Sequence, residues 1–393
     1  MSKDSVVIIA GARTPMGGLM GVLSTVPAPD LAATAIKATL ERGATDGSSV
    51  DEVFMGCVLP AAVKQCPARQ AAIGAGIPAS AGAVTINKAC GSGMQATIFG
   101  YDSIVAGTNK VVIAGGMESM SRAPHMVANA RGGVGSGDKA LCDHMFTDGL
   151  EDAYTGRPMG SFAQETVNQR GITREQMDAF AIESLTRAKR AIEDGSLKNE
   201  TAAVTVKSRK GEIVVADDEQ PHKASIEKIP TLRPAFAKDG SITAANASSI
   251  SDGASALLLM HQAEADSRGL QPMARIVAHA RHSQAPGEFT TAPIGAMQKL
   301  FDKSGWSKDD VDLFEINEAF AMVTMMAIED LGLDHNKVNV NGGACAQGHP
   351  IGSTGSRIIV TLMHALQRRG LHRGVAALCI GGGEATAIGI ELI

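Results

Sequence analysis

No apolar run in the chain approaches the ~20 residues that a bilayer-spanning helix requires, so an integral membrane protein of the helical type is excluded. Neither charge is in strong excess. The 36 Lys and Arg against 41 Asp and Glu leave a formal net charge of -5, and with the basic residues interspersed nothing calls for nucleic acid or an anionic membrane as partner. Cysteines at 57, 66, 90, 142, 345 and 379 are scattered without disulfide-framework spacing, which points to reduced thiols in a cytosol-like compartment. No segment is biased enough in composition to be disordered. Address signals are missing as well: Met1-Ser2-Lys3-Asp4 runs straight into apolar Val6-Val7-Ile8-Ile9, and Ile390-Glu391-Leu392-Ile393 is not a Ser-Lys-Leu type of ending. The cytoplasm is the expected location.

What remains is an ordinary globular composition, 44% hydrophobic and 20% charged, in 393 residues. That length exceeds what one core supports, so roughly two or three packed units are expected. Short apolar runs at 6–10, 53–55, 84–86 and 111–114 alternate with helical patterns such as 31–42, the signature of strand–helix–strand units and a largely parallel, buried sheet. The same order returns past residue 270, with strands expected at 274–278, 313–316, 338–340 and 375–380. Val84-Thr85-Ile86-Asn87 resembles Val338-Asn339-Val340-Asn341, and Val111-Val112-Ile113-Ala114-Gly115-Gly116 resembles Ala377-Leu378-Cys379-Ile380-Gly381-Gly382. A duplicated α/β unit would gather strand ends from both halves around one cleft. We therefore expect a first lobe over 1–118 with 249–270, an inserted loop domain over 119–248, and a second lobe over 271–393. The insertion carries one long amphipathic helix. A capping box, Thr173 to Gln176, opens it, Met177, Phe180, Ala181, Leu185, Ala188 and Ile192 share its apolar face, and it ends near Gly195.

Four segments hold groups that can do chemistry. In Asn87-Lys88-Ala89-Cys90-Gly91-Ser92-Gly93-Met94 a strand runs into a turn and then a helix opening near Gly91. Cys90 then sits at a helix N-terminus, where free N–H groups and the dipole favour the thiolate and lower a pKa otherwise about 8.5; a buried structural cysteine is the alternative. In Asn341-Gly342-Gly343-Ala344-Cys345-Ala346-Gln347-Gly348-His349-Pro350-Ile351-Gly352 the glycines permit close backbone approach, and His349 can act as a base near neutral pH or be an ordinary loop histidine. Cys345 and His349 have no second pair of ligands nearby, so no metal is expected. Cys379-Ile380-Gly381-Gly382-Gly383-Glu384 places a cysteine at a strand end before glycines that form either an anion nest or a tight turn. In Asn317-Glu318-Ala319-Phe320-Ala321 a strand gives way to a helix with Asn317 at its N-cap. All four lie at strand ends, so a doubled fold brings them together.

Together with Ala10-Gly11-Ala12-Arg13-Thr14-Pro15 and Gly115-Gly116-Met117-Glu118-Ser119-Met120-Ser121, these motifs make the chain resemble the thiolase family nearly end to end. The resemblance implies an α/β thiolase fold: two lobes, each a mixed, mostly parallel five-stranded sheet with helices, in α-β-α-β-α layers with a loop domain, assembled as a dimer or a homotetramer. It implies Cys90 as the acyl-accepting nucleophile, His349 as the base that activates it, and Cys379 as the acid/base for the α-proton or leaving thiolate. The backbone N–H groups of Cys90 and Gly381, and His349 with a water held by Asn317, would be oxyanion donors. Phe236, Ala247 and Ser248 correspond to coenzyme A contacts and Met159 to an acyl-pocket methionine. The activity implied is reversible Claisen condensation of acetyl-CoA, or thiolysis of 3-ketoacyl-CoA, by a ping-pong route through acyl-Cys90. Acetyl-CoA, 3-ketoacyl-CoA and coenzyme A are then substrates, and no cofactor is called for. Acetoacetyl-CoA thiolysis is the leading expectation. Pro158-Met159-Gly160 and Phe162-Ala163-Gln164 depart from the acetoacetyl-specific pattern, as does Phe289 where methionine is common, and they keep a broader 3-ketoacyl-CoA thiolase of fatty-acid or related catabolism open. A ketoacyl synthase would have histidine where Asn317 stands. A degenerate, purely acyl-CoA-binding relative is the remaining alternative, against which the intact catalytic set speaks.

Overall fold

A computed structural model describes residues 5–208 and 211–393; the first four residues, on which part of the targeting expectation rests, lie outside them. Nine long strands make up most of one mixed sheet: β1 (Val6–Arg13), β2 (Glu52–Gly56), β3 (Gly82–Ile86), β4 (Val111–Ser119), β5 (Ser251–His261), β6 (Ala274–Ser283), β7 (Leu313–Ile316), β8 (Arg373–Ile380) and β9 (Glu384–Leu392). Their spatial order is β7-β8-β9-β6-β1-β5-β4-β2-β3. The two halves join where β1 and β6 pair, Val7 with Arg275 and Ile8 with Ala274. β2 runs parallel to β3 and β4, and β7 parallel to β8, whereas β5 and β9 run against their neighbours. Each half thus has one reversed strand set among strands of a common direction, and the duplication read from the sequence is present in space.

The helices that matter are α1 (Ala28–Arg42), α2 (Ser92–Val105), α3 (Met159–Arg170), α4 (Arg174–Glu193), α5 (Ala292–Ser304), α6 (Ala321–Leu331) and α7 (Thr354–Arg369). α1 covers the outer face of the first half, α5 that of the second, and α2 and α7 lie between the halves, so the layers run α-β-α-β-α. β1 shows why its apolar run is unbroken: Val7 and Ile9 face the outer core, while Val6 and Ile8 face the central one. A strand covered on both faces loses the alternation of a half-exposed one.

Two glycines set the geometry at the centre. A Cβ on Gly93 would come within 2.6 Å of Ser356 Oγ and 2.8 Å of its backbone N, and one on Gly355 would overlap the backbone N of Met94. Only hydrogen side chains allow the first turns of α2 and α7 to touch. Because the Cys90 segment precedes α2 and the His349 loop precedes α7, this crossing sets the two loops side by side.

One expected strand fails to form. At 338–340 only Val338 bridges Phe314, and Asn339 is left-handed with φ 48°. Its side-chain amide takes over the ladder, Oδ1 accepting from Ile316 N and Nδ2 donating to Ile316 O, each at 2.8 Å. Short polar side chains tolerate that conformation and can stand in for backbone. The second half therefore has four hydrogen-bonded strands plus this bridge, not five strands. In the 119–248 region, α4 begins with the expected capping box: Thr173 Oγ1 accepts from Gln176 N at 3.2 Å and Gln176 Oε1 from Thr173 N at 2.8 Å.

Candidate active site

Cys90 ends a tight turn. Ala89 is left-handed at φ 43°, Asn87 Oδ1 accepts its N–H at 3.0 Å, and Ser92 Oγ accepts from Lys88 N at 2.8 Å while donating to Ala89 O at 2.7 Å. A non-glycine residue persists in that conformation only where its surroundings over-determine it. The helix begins at Ser92 with Gly91 as N-cap, so Cys90 stands just outside the helix. The expected lowering of its pKa is overturned. Burial pushes the thiol up to about 11, although the backbone N–H groups of Gly381 and of Cys90 itself pull it down. Desolvation of the thiolate outweighs two donors.

The Cys379 turn abuts this segment. A Cβ on Gly91 would overlap the Ile380 side chain, Lys88 and Glu384 form an ion pair, and Cys90 and Cys379 interact electrostatically. Cys379 is fully buried, which raises its thiol pKa well above the ordinary value. Gly382 and Gly383 have φ 91° and 86°, and a Cβ on Gly383 would stand 2.5 Å from Gln284 O. The turn requires glycine on both counts.

His349 is buried. Its Nδ1 lies 2.6 Å from Thr354 Oγ1, which in turn donates to Pro350 O at 3.0 Å. Since the hydroxyl proton goes to that carbonyl, the hydroxyl accepts from Nδ1–H, and Nε2 carries the lone pair. Nε2 has no partner among the described residues. Burial, helped by Arg357, depresses the imidazole pKa to about 3, so it rests neutral rather than poised near 7 as its loop setting led us to expect. Asn317 is also displaced from its expected role. The helix after it, α6, begins at Ala321 with Phe320 as N-cap, and Asn317 caps nothing; its N–H bonds Ala377 O at 3.0 Å and both polar atoms of its buried side chain lack a partner among the described residues. A buried amide with no protein partner is a natural holder of ordered water or ligand.

A cavity of about 400 Å³ opens beside these groups, with Met159, Phe236, Ala247, Ser248, Phe320 and His349 among its lining residues. Met159 Cε and Sδ would stand 3.7 and 3.9 Å from a Cβ on Gly381, which brings the cavity to the Cys379 turn. Ser248 N bonds Ala319 O at 2.9 Å and Ala247 bridges Phe320, tying this wall to the Asn317 segment. Phe289 is placed differently from the expectation. It is buried behind Phe320, ring centroids 6.4 Å apart, and does not line the cavity, because Phe320 stands between. Sequence reasoning missed Thr354, whose only mark is its place just after the glycine loop, and Glu118, whose partners come from both halves. Among the described residues no three or more His, Cys, Asp or Glu side chains are arranged to hold a metal ion, and no helix is long and apolar enough to cross a membrane.

With the fold and site in view, the comparisons agree with one another. Residues 6–263 match the family model for the thiolase N-terminal domain and residues 270–392 that for the thiolase C-terminal domain. The acetyl-CoA acetyltransferase of Rhizobium meliloti is 47% identical over 392 residues, 100% of each chain. The crystal structure of a Bacillus anthracis acetyl-CoA acetyltransferase superposes with a TM-score of 0.96 at 41% identity, covering 99% of each chain. An Ascaris suum thiolase in complex with coenzyme A superposes at 0.93, also 41% identical, covering 99% of this chain and 100% of that one. The chain belongs to the thiolase family.

Proposed function

We propose that the protein is an acetyl-CoA acetyltransferase, condensing two acetyl-CoA to acetoacetyl-CoA and coenzyme A or running the reverse thiolysis. The observation that carries this reading is the pairing of two thiols around one turn: Cys90 under the Gly381 N–H, with Cys379 two residues before that glycine. His349 Nε2 takes the Cys90 proton as the sulfur attacks the thioester carbonyl. Cys379 gives its proton to the departing coenzyme A thiolate, the acetyl group stays on Cys90, and His349 Nε2 keeps the Cys90 proton. The Cys379 thiolate so formed removes a proton from the methyl group of a second acetyl-CoA, whose carbanion attacks the acetyl-Cys90 carbonyl and releases the Cys90 thiolate, which takes its proton back from His349. The N–H groups of Cys90 and Gly381 would hold one oxyanion, and His349 with a water on Asn317 the other, each donor contributing about 3 kcal/mol. The thioesters are substrates and the atoms balance without a cofactor or metal.

Phe236, Ala247, Ser248 and Met159 would cradle the pantetheine arm and acyl group. The apolar cavity residues Met120, Leu150, Ile250 and Ile351 support the second reading, a broader 3-ketoacyl-CoA thiolase of fatty-acid or related catabolism, which kcat/KM against acyl length would distinguish. A homotetramer in the cytoplasm completes the proposal. Support comes from β3, hydrogen-bonded on one side only with Val84 half exposed, from exposed Val134 and Leu141, and from six free cysteines. The deciding experiment is incubation with acetyl-CoA: one equivalent of coenzyme A should be released in a burst with one acetyl group on Cys90, and Cys90→Ala should abolish both burst and thiolysis. Full activity in that variant would sink the assignment.

A further inference from the structure

Glu118, near the end of β4, is fully buried, and the chemistry above does not use it. Its carboxylate accepts from Val58 N at 2.9 Å and Leu59 N at 3.1 Å, in the loop after β2, and from Gly352 N at 3.0 Å, three residues beyond His349. Those two loops belong to opposite halves of the molecule. Val58 and Leu59 form, with Ile351, the apolar cluster against which Cys90 packs, and Val58 O accepts from Asn87 Nδ2 at 3.5 Å in the Cys90 turn. Gly352 is wedged in place: its carbonyl oxygen would be overlapped by a Cβ on Gly116 and lie 2.6 Å from one on Gly56, and a Cβ of its own would stand 2.7 Å from Glu118 Oε2. One carboxylate thus satisfies three buried N–H groups that have no other acceptor among the described residues.

We propose that Glu118 is a positioning residue, clamping the His349 loop of one half to the Cys90 wall of the other and so fixing the geometry of proton transfer between thiol and imidazole. The inference rests on the thiolase reading. The titratable groups that bear on it are the Cys57 thiol, 3.7 Å from Oε1, and Cys90, whose thiolate the negative charge of Glu118 disfavours. That second effect reports the carboxylate's charge, while the split between kcat and KM reports its positioning.

The test uses Glu118→Gln and Glu118→Asp in the full chain. Glutamine keeps the shape but removes the charge and turns one acceptor into a donor facing N–H groups. Its kcat should fall about 10- to 100-fold from misplacement, with KM within about 2-fold, and the pH profile of Cys90 alkylation by iodoacetamide should move to lower pH. Aspartate keeps the charge but lacks the reach, so kcat should fall while the alkylation profile stays. If both variants keep the parent kcat and only unfold more readily, the clamp is refuted. If neither folds, hydrogen exchange on the parent decides: Val58, Leu59 and Gly352 amides should share one opening rate, and independent exchange at Gly352 overturns the proposal. A parent that neither cleaves acetoacetyl-CoA nor takes acetyl on Cys90 would instead defeat the thiolase reading, and leaves the exchange result to judge the clamp.

Discussion

The Cys90 thiol near 11 and the His349 imidazole near 3 rest as a neutral pair. Burial disfavours the charged form of each, so an ion pair is not the resting state. Attack on the thioester must accompany the transfer, with the developing oxyanion stabilised by N–H groups that already point at the sulfur. A thiol titrating this high reacts in proportion to its small thiolate fraction. Alkylation of Cys90 should therefore climb about tenfold per pH unit between roughly pH 7 and 9 without a plateau, read as the iodoacetamide rate lost in Cys90→Ala. A plateau below pH 8 would mean that the turn activates the thiol as a bare helix N-terminus does.

Among elements, the crossing of α2 and α7 decides whether the site exists. Gly355→Ala would force its Cβ against Met94 N, a backbone atom that cannot step aside, and should cost about 1–3 kcal/mol in denaturant unfolding while lowering kcat. Unchanged kcat would show that the loops are placed by something else. The strands that sequence reading found, β1 to β4 and β6 to β8, are those with compact apolar runs. β5 and β9 escaped it, and they are the equivalent reversed strands of the two halves. Both open on small and polar stretches, Ser251-Asp252-Gly253-Ala254-Ser255 and Glu384-Ala385-Thr386-Ala387, and their larger apolar residues, Leu257-Leu258-Leu259-Met260 and Ile388 with Ile390, come only in the second half of each strand, so the local pattern marks only part of either one. The candidate site divides in the same way. Cys90 and Cys379 stood out beside glycines after apolar runs, His349 in a glycine-rich loop and Asn317 after an apolar run, all of which local sequence displays. Glu118 acts through contacts formed only when the halves meet, Thr354 and the Asn339 amide act through side-chain hydrogen bonds that no periodicity displays, and the thiol's rise follows from burial that no local motif records.

For the whole molecule, the central layer holds charge-bearing groups that burial has altered. Glu118 is raised to about 7 and Glu315 to about 8, both chiefly by desolvation. Their folded-state values lie above the ordinary 4.5, so the stability they contribute is complete below that pH and is lost as pH rises through about 7 and 8. His349, depressed from 6.5, acts in the opposite sense and only below that value. Between pH 6.5 and 8.5 the depressed histidines His279, His335 and His364 act against the carboxyls and the raised thiols of Cys57, Cys90, Cys345 and Cys379 act with them, and stability should fall as pH rises. Thermal unfolding across that window measures it, and Glu315→Gln should flatten most of the slope; a parent whose melting temperature rises over the range would contradict the assignment.

The Asn339 amide that replaces a strand has a further effect on the outline of the sheet. By occupying Ile316 it shuts the margin of the second half, whereas β3, unpaired on its outer side among the described residues, leaves the first half open. Edge pairing is how strands recruit other chains. A sheet open at one margin has a valence of one: two copies joined through it satisfy each other and stop, while a sheet open at both could grow without limit. Divergence between the repeats thus does more than shape a cleft, because it also removes the symmetry that would let a duplicated fold polymerise.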